Sequence, residues 1–362
     1  MKIREAIKGV RPYQAGKPIS EVKRQLGLDD IIKLASNENP YGCSEKVRQA
    51  MISAVDSINL YPDASNYELK KALADYLGVK TSMIFCGTGS DLLIRVLCSI
   101  FIDKDDEIIM GDISFQRYED SAKIMGGKVV KIKMKNHRLD VEGMVNAVND
   151  RTKIVWFATP NNPTGTIVKK DELLWALDNI PKDVLVVIDE AYKEYVTDED
   201  YPDTIPLLNK YNNIVILRTF SKAYGLAGLR LGYGIANEEI TQYMNSVIGP
   251  FDTNLIAQEA GIAALKDEEF LKFIVEKNDE GRKYYYKEFD RLGLNYIESQ
   301  ANFVMVDTGK DDMDVFNKLL RKGVIVRPGS LFDMPGWLRV TVGTMEQCQR
   351  FVKSLEEILR GE

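Results

Sequence analysis

Five short apolar runs punctuate the middle of the chain: Glu107 to Met110 (EIIM), Lys128 to Lys133 (KVVKIK), Lys153 to Ala158 (KIVWFA), Val184 to Asp189 (VLVVID) and Asn213 to Leu217 (NIVIL). They are apolar on both faces rather than alternating, and stretches with helical character separate them. Strands buried on both faces belong to parallel sheets covered by helices, so the predicted core is α/β with a mostly parallel sheet. Upstream, Glu45 to Ser57 and Asn66 to Leu77 carry helical periodicity, and the Pro and Asp of LYPDAS mark a turn between them. From about residue 255 the pattern changes to two long helices, Leu255 to Leu265 and Glu268 to Leu292. Strand-like NFVMV, a helix, VIVRP, WLRVTVG and a last helix follow, which together read as a smaller α+β unit. The first forty residues hold Gly and Pro without a period and are expected to wrap across the two units or onto a partner subunit. The division read from these patterns is a large domain over 45–255, with 1–44 as an arm and 256–362 as the small domain.

At 362 residues the chain is long enough for two cores, and 45% hydrophobic with 28% charged residues is ordinary for a folded protein. The net charge of −6, from 48 Lys plus Arg against 54 Asp plus Glu, provides no basic field for nucleic acid or an anionic membrane. Anionic small molecules then need local pockets. Cys43, Cys86, Cys98 and Cys348 show no CxxC spacing, and a single histidine, His137, is available to complete a zinc site, which argues against one. His137 lies in KMKNHRLD, which reads as a solvated loop after a strand, and nothing near it has the pattern of a Ser-His-Asp or Cys-His hydrolase. The opening MKIREAIKGVRPYQAGKP has no apolar run suited to a signal peptide, and nowhere do about eighteen apolar residues follow one another. A cytoplasmic location with free thiols is the expectation.

Four segments carry candidate chemistry. In LRTFSKAYGLAGLRLG a strand runs into a polar turn holding Thr219, Ser221 and Lys222, with Arg230 eight residues on. Alone, Lys222 reads as a surface lysine; its neighbours change that, because Gly225, Ala227 and Gly228 permit close backbone approach and two hydroxyls with an arginine can cradle an anion. In VLVVIDEAY an apolar strand ends at Asp189 and Glu190, with Tyr192 just beyond. A carboxylate there points into the crevice where open α/β sheets bind ligands. The alternatives are an N-cap or a magnesium-binding acid, though no GxxxxGK[ST] loop supports the latter. NNPTG, from Asn161 to Gly165, follows another strand and is either a turn or part of a site. CGTGSDLL is a Gly-rich turn opening a helix, whose backbone N–H groups suit a phosphate; it is not GxGxxG, and no acidic residue completes a dinucleotide fingerprint.

Taken with LASNENPYG, LYPD, QANFVMV, VRPGS and LRVTVGT, these segments resemble fold-type I pyridoxal-phosphate enzymes, and within them the histidinol-phosphate aminotransferase branch, over almost the whole chain. The resemblance implies a large pyridoxal 5'-phosphate-binding domain and a ping-pong transfer between L-histidinol phosphate and 2-oxoglutarate. It implies that Lys222 forms the Schiff base and moves the proton, that Asp189 keeps the pyridine nitrogen protonated, and that Asn162 and Tyr192 hydrogen-bond the ring's phenolic oxygen. Phe115 in DISFQRY is implied to stack on the ring, the plain alternative being core packing. The phosphate is implied to lie against the backbone of Ser90 and Asp91, the hydroxyls of Thr219 and Ser221, and Arg230. Tyr61 of LYPD corresponds to a tyrosine that reaches a phosphate across a dimer interface, which implies a homodimer with shared sites. Arg339 is implied to fork onto a substrate carboxylate, with Arg327, Tyr13 and Asn37 lining the substrate pocket; a surface ion pair is the alternative for Arg327.

The chain departs from the branch at GTGSDL, where GNGSDE is frequent, so that Leu92 stands in place of an acidic residue, and at DISF, where PTF or PTY is usual. Those departures keep an aromatic amino acid aminotransferase open as an alternative substrate reading, with a decarboxylase of the same fold behind it. A cofactor-binding regulator is disfavoured, because it needs a DNA-binding segment with a basic face.

Overall fold

The computed structural model describes residues 1–8, 10 and 16–361. Its strands in the first two thirds of the chain are β1 (Ile32–Lys33), β2 (Ile84–Gly87), β3 (Glu107–Gly111), β4 (Lys128–Ile132), β5 (Thr152–Ala158), β6 (Leu185–Asp189), β7 (Ile214–Thr219) and β8 (Gly232–Ala236). Seven of them form one sheet in the order β2-β8-β7-β6-β5-β3-β4. From β4 through β7 neighbouring strands run parallel, and β8 is antiparallel to both β7 and β2. Every residue of β3, β6 and β7 is buried, as the unbroken apolar runs require, whereas edge strand β4 exposes Lys128 and Lys131. Charged edge residues of this kind discourage pairing with another sheet.

The five apolar runs are therefore strands, each within two residues of the predicted bounds. The two predicted upstream helices are present as Glu45–Ala54, continued by a 3-10 turn over Val55–Ser57, and as Tyr67–Leu77. Other elements carried no clear signal, among them β8 and a helix of the arm. GYGIA forms β8, although half of it is glycine-rich and too short to show a period. Ile19–Leu26 is a helix within the arm, started by Pro18 and closed by Gly27 in the left-handed region; only Val22 in it is buried, so its apolar stripe is one residue wide.

The remaining strands are β9 (Tyr296–Ile297), β10 (Phe303–Asp307), β11 (Val324–Ile325), β12 (Arg327–Pro328) and β13 (Trp337–Thr341). An antiparallel sheet in the order β12-β13-β10-β9 packs with helices Glu268–Leu292, Asp312–Arg321 and Met345–Arg360 around Val304, Leu319, Val340, Phe351 and Leu355. The arm joins that core: Val22, Leu34 and Ala35 are buried in it, and β1 pairs in parallel with β11. Helix Leu255–Leu265 instead lays Ala257, Ala260 and Ala264 into the apolar core of the large sheet. Among the described residues no helix is long and apolar enough to cross a membrane.

Candidate active site

The parallel strands deliver their C-terminal ends side by side. Ala158 at the end of β5 is in register with Asp189 at the end of β6, and Asp189 with Leu217 of β7. The chain leaves β7 at Thr219, which places Lys222 three residues beyond the sheet edge. A cavity of about 190 Å³ opens there between the sheet ends and the arginines of β12 and β13. It is lined by Ser90, Asp91, Phe115, Asn162, Asp189, Tyr192, Thr219, Ser221, Lys222 and Arg230 from the large-sheet side, and by Asn37, Arg327 and Arg339 from the other. Of the site residues that the resemblance implies, Tyr61 and Tyr13 are not in this lining. Tyr61 is 82% exposed and stacks on Phe251, 4.5 Å between ring centroids. Tyr13 lies outside the described residues.

Lys222 Nζ donates to the backbone carbonyl of Ser36 at 3.1 Å and sits 5.6 Å from the centre of the Tyr192 ring. Burial, reinforced by the Arg339 and Arg230 cations, pulls its pKa from 10.5 down to about 8, with Glu38 opposing. Asp189 is buried in the floor, and burial pushes its pKa from 3.8 up to about 6 against the hydrogen bonds it accepts. Those come from the Tyr118 hydroxyl at 2.7 Å and the Ala191 N–H at 3.2 Å. Its neighbour Glu190 faces away and forms a fully buried pair with Arg218 of β7 at 2.8 Å, with Tyr201 and Thr204 hydroxyls also donating to it. A buried pair with every oxygen engaged fixes the ends of β6 and β7 to each other.

At one end of the cavity helix Gly89–Phe101 begins, with Ser90 and Asp91 in its first turn. The preceding Thr88 gives its hydroxyl to the Asp252 carbonyl at 2.8 Å rather than to the helix, which leaves the first N–H groups for another acceptor. Ser221 Oγ accepts from Arg230 at 3.3 Å, and Thr219 Oγ1 accepts from the Ser221 N–H at 3.1 Å. The Asp91 carboxylate is turned aside: it takes Arg117 Nε at 2.5 Å and Arg95 at 3.0 Å. Burial would raise its pKa, yet the two arginines hold it below the usual carboxylate range. Leu92 packs against the apolar cluster that includes Phe115 and does not line the cavity. At the other end, Arg339 donates to Asn162 Oδ1 at 2.5 Å and to the Ala35 carbonyl at 2.8 Å. Arg327 is its cross-strand partner on β12 and is also buried, which removes the surface ion-pair reading. Asn37, in the left-handed region at φ 55°, donates to the Tyr192 hydroxyl at 3.0 Å and bonds Thr341.

The site thus combines an amine drawn toward its neutral form, a buried carboxylate, an uncapped helix start and two arginines. The profile of the aminotransferase class I and II family matches residues 29–355, which include every cavity residue named above. The chain belongs to that family. Over 356 residues it is 50% identical to the histidinol-phosphate aminotransferase of Caldicellulosiruptor saccharolyticus, covering 98% of this chain and 99% of the relative. The corresponding protein of Moorella thermoacetica is 49% identical over 359 residues, 99% and 93% of the two chains. A solved histidinol-phosphate aminotransferase from Sinorhizobium meliloti, in complex with pyridoxal-5'-phosphate, matches with a TM-score of 0.91 and 27% identity, covering 99% and 98% of the chains. The fold is thus the fold-type I aminotransferase fold.

Within this class I and II aminotransferase, three participants had escaped the sequence reading. Tyr118 and the Ser36 carbonyl contact Asp189 and Lys222, and Arg117 takes Asp91. Tyr118 stands three residues after Phe115 in the same DISFQRY segment, but nothing in that segment marks it as a partner of Asp189, 71 residues on. Ser36 acts through its backbone, which no side-chain pattern reveals. His137 is exposed in its loop, as read, with its ring against Trp337.

Proposed function

We propose that this chain transfers an amino group between L-histidinol phosphate and 2-oxoglutarate, with pyridoxal 5'-phosphate as the carrier, in two half-reactions at one site. The observation that carries the reading is Lys222, drawn toward its neutral form by burial and by Arg339 and Arg230, in one cavity with buried Asp189. The near-full-length identity to named histidinol-phosphate aminotransferases selects the substrate over an aromatic amino acid.

The residues fit the carrier on structural grounds. The uncapped start of helix Gly89–Phe101, the hydroxyls of Thr219 and Ser221, and Arg230 form an anion cradle for its phosphate. Glycine at 89 keeps that cradle clear, since a Cβ there would lie 2.6 Å from the Arg230 guanidinium. When bound, the carrier supplies an aldehyde that takes the amino group and a ring that draws off electron density as the substrate's Cα–H bond breaks. Asp189 holds a proton at the ring nitrogen through opposite charge. Phe115, Asn162 and Tyr192 line the cavity, where Phe115 would stack on the carrier's ring and Asn162 and Tyr192 would hydrogen-bond its oxygen. Lys222, in its neutral form, would accept the proton from the substrate's Cα at Nζ and hold it for return to the other side of the transferred nitrogen. Arg339, kept in place by Asn162 and the Ala35 carbonyl, binds the carboxylate of the keto acid; Arg327 adds a second cation for the phosphate or distal carboxylate.

The unit that works is a homodimer. Ile52, Val55, Ile58 and Leu60 expose an apolar stretch beside Tyr61, which faces away from its own cavity and is available to a partner's. Residues 45–255 carry the cofactor, while 1–44 and 256–362 carry the substrate arginines and Asn37. The cytoplasm is its compartment: Cys86, Cys98 and Cys348 are buried free thiols.

Purified protein mixed with L-histidinol phosphate should lose its yellow absorbance and regain it with 2-oxoglutarate, and Lys222→Ala should slow this by at least about 10²–10⁴-fold. Bleaching by phenylalanine or tyrosine but not by histidinol phosphate would replace the substrate, and a colourless wild type that takes up no pyridoxal phosphate would remove the cofactor.

A further inference from the structure

Tyr118 lines the floor of the cavity beside Asp189. Tyr118 is buried on helix Arg117–Met125, 1% exposed, with its hydroxyl 2.7 Å from Asp189 Oδ2. Its ring lies flat on Trp156 of β5, 4.4 Å between centroids at 12°, and edge-on to Phe115 at 5.7 Å. Two aromatic contacts from different elements fix the ring, so the hydroxyl has one place to point. We propose that Tyr118 is a positioning residue that keeps Asp189 in its anionic form and thereby drives the shared proton onto the nitrogen of the bound ring. The inference deepens the reading given above for Asp189 and rests on it.

The argument is a competition between two bases for one proton. A buried carboxylate is a stronger base than a solvated one, and here burial alone favours the protonated acid. An acid that keeps its own proton leaves the ring nitrogen neutral, and a neutral ring is a poor electron sink. A phenol donating to the carboxylate stabilises the anion and tips the competition back. The phenol does not lose its own proton in the process, because burial and the Asp189 charge hold its pKa well above 10. The other groups facing Asp189 cannot take this role. The Ala191 N–H is a longer contact at 3.2 Å, and Glu190 on the same strand end is an anion committed to Arg218. Lys222 donates to the Ser36 carbonyl. Phe115 lies two residues before the helix that carries Tyr118, and its backbone carbonyl accepts from the Tyr118 N–H at 3.2 Å, so the two side chains are placed by one short segment.

The test is Tyr118→Phe, which keeps both ring contacts and removes only the donor. With a neutral ring, Lys222 Nζ joined to the cofactor is less depleted of charge and holds its proton to higher pH. The pH midpoint of the visible absorbance should therefore rise by about half to one unit, with kcat about 10-fold lower and KM within about two-fold, as expected for a lost hydrogen bond to a charged group. A midpoint unchanged from wild type overturns the proposal even if kcat falls, since a packing defect changes the rate without moving that titration. Should the phenylalanine variant fail to fold, site-specific 3-fluorotyrosine at position 118 keeps the ring and strengthens the donor; it should lower the midpoint, and no change overturns the proposal equally. Wild-type protein that takes up no pyridoxal phosphate overturns this inference together with the cofactor reading, whereas a wild type with the band and a variant identical to it overturns this inference alone.

Discussion

Burial acts on Lys222 and Asp189 in the same sense, toward the uncharged form, and the two consequences are separately measurable in protein stripped of cofactor. A lysine whose pKa falls from 10.5 to about 8 has a neutral fraction at pH 7 a few hundred times that of a solvated one. The rate of pyridoxal phosphate uptake should climb about tenfold per pH unit and level off near pH 8. A climb that continues to pH 10 would show Lys222 to be solvent-like. For Asp189 the folded-state value of about 6 lies above the ordinary 3.8. The folded state then binds the extra proton between those values, so the stability this group contributes is complete below pH 4 and is lost as pH rises through 6. The carboxylate at pH 7 costs the empty protein about 3 kcal/mol. Asp189→Asn, which still accepts from Tyr118, should raise the melting temperature at pH 7 but not at pH 4, while weakening cofactor binding. Equal melting shifts at both pH values would count against the burial argument. Both residues were legible because each closes an apolar strand or its turn. Their partners Tyr118 and Ser36 stand 71 and 186 residues away in sequence, and only folding brings them near.

Among the elements, those with a period of their own were readable and those defined by a neighbour were not. β3, β6 and β7 are buried throughout, so their apolar runs needed no context. β8 is a strand because of what lies against it: Gly232 pairs with Gly87, and a Cβ at 232 would come within 2.5 Å of the Ser90 backbone nitrogen. That glycine lets the antiparallel strand seat the first turn of helix Gly89–Phe101, whose Ser90 and Asp91 line the cavity. Gly232→Ala must push strand and helix start apart, as the contact is with backbone and no side chain can swing away. The expected loss is about 1–3 kcal/mol of stability, typical of overpacking, with pyridoxal phosphate affinity at least about tenfold weaker. Equilibrium titration with a melting curve checks both, and unchanged affinity in a destabilised protein would detach the helix start from the phosphate. Helix Ile19–Leu26 escaped notice for a related reason, since the one residue it buries, Val22, finds its cover in strands and helices some 300 residues on.

At the scale of the whole molecule the question is whether one chain makes one site. Tyr61 is exposed and stacked on Phe251 on a surface that also shows Ile52, Ile58 and Leu60, so within its own chain it has no path to the anion cradle. A role at the phosphate therefore requires a second copy, and two-fold symmetry would make the loan mutual. Mixing two inactive proteins decides it. A Lys222→Ala chain still carries Tyr61 to lend, and a Tyr61→Ala chain still carries Lys222. If the tyrosine acts across the interface, unfolding and refolding the two together yields hybrids in which one site has both groups and the other has neither. Random pairing puts half the molecules in hybrids with one working site of two, so about a quarter of wild-type activity should return. If Tyr61 served its own chain, the site with Lys222 would lack its tyrosine and the site with the tyrosine would lack its lysine, and mixing would restore nothing. Leu60→Asp in either partner should abolish the recovery by placing a charge in the apolar contact, and the same variant should sediment as a monomer. A dimer that persists in Leu60→Asp with full complementation would place the interface on another face of the molecule.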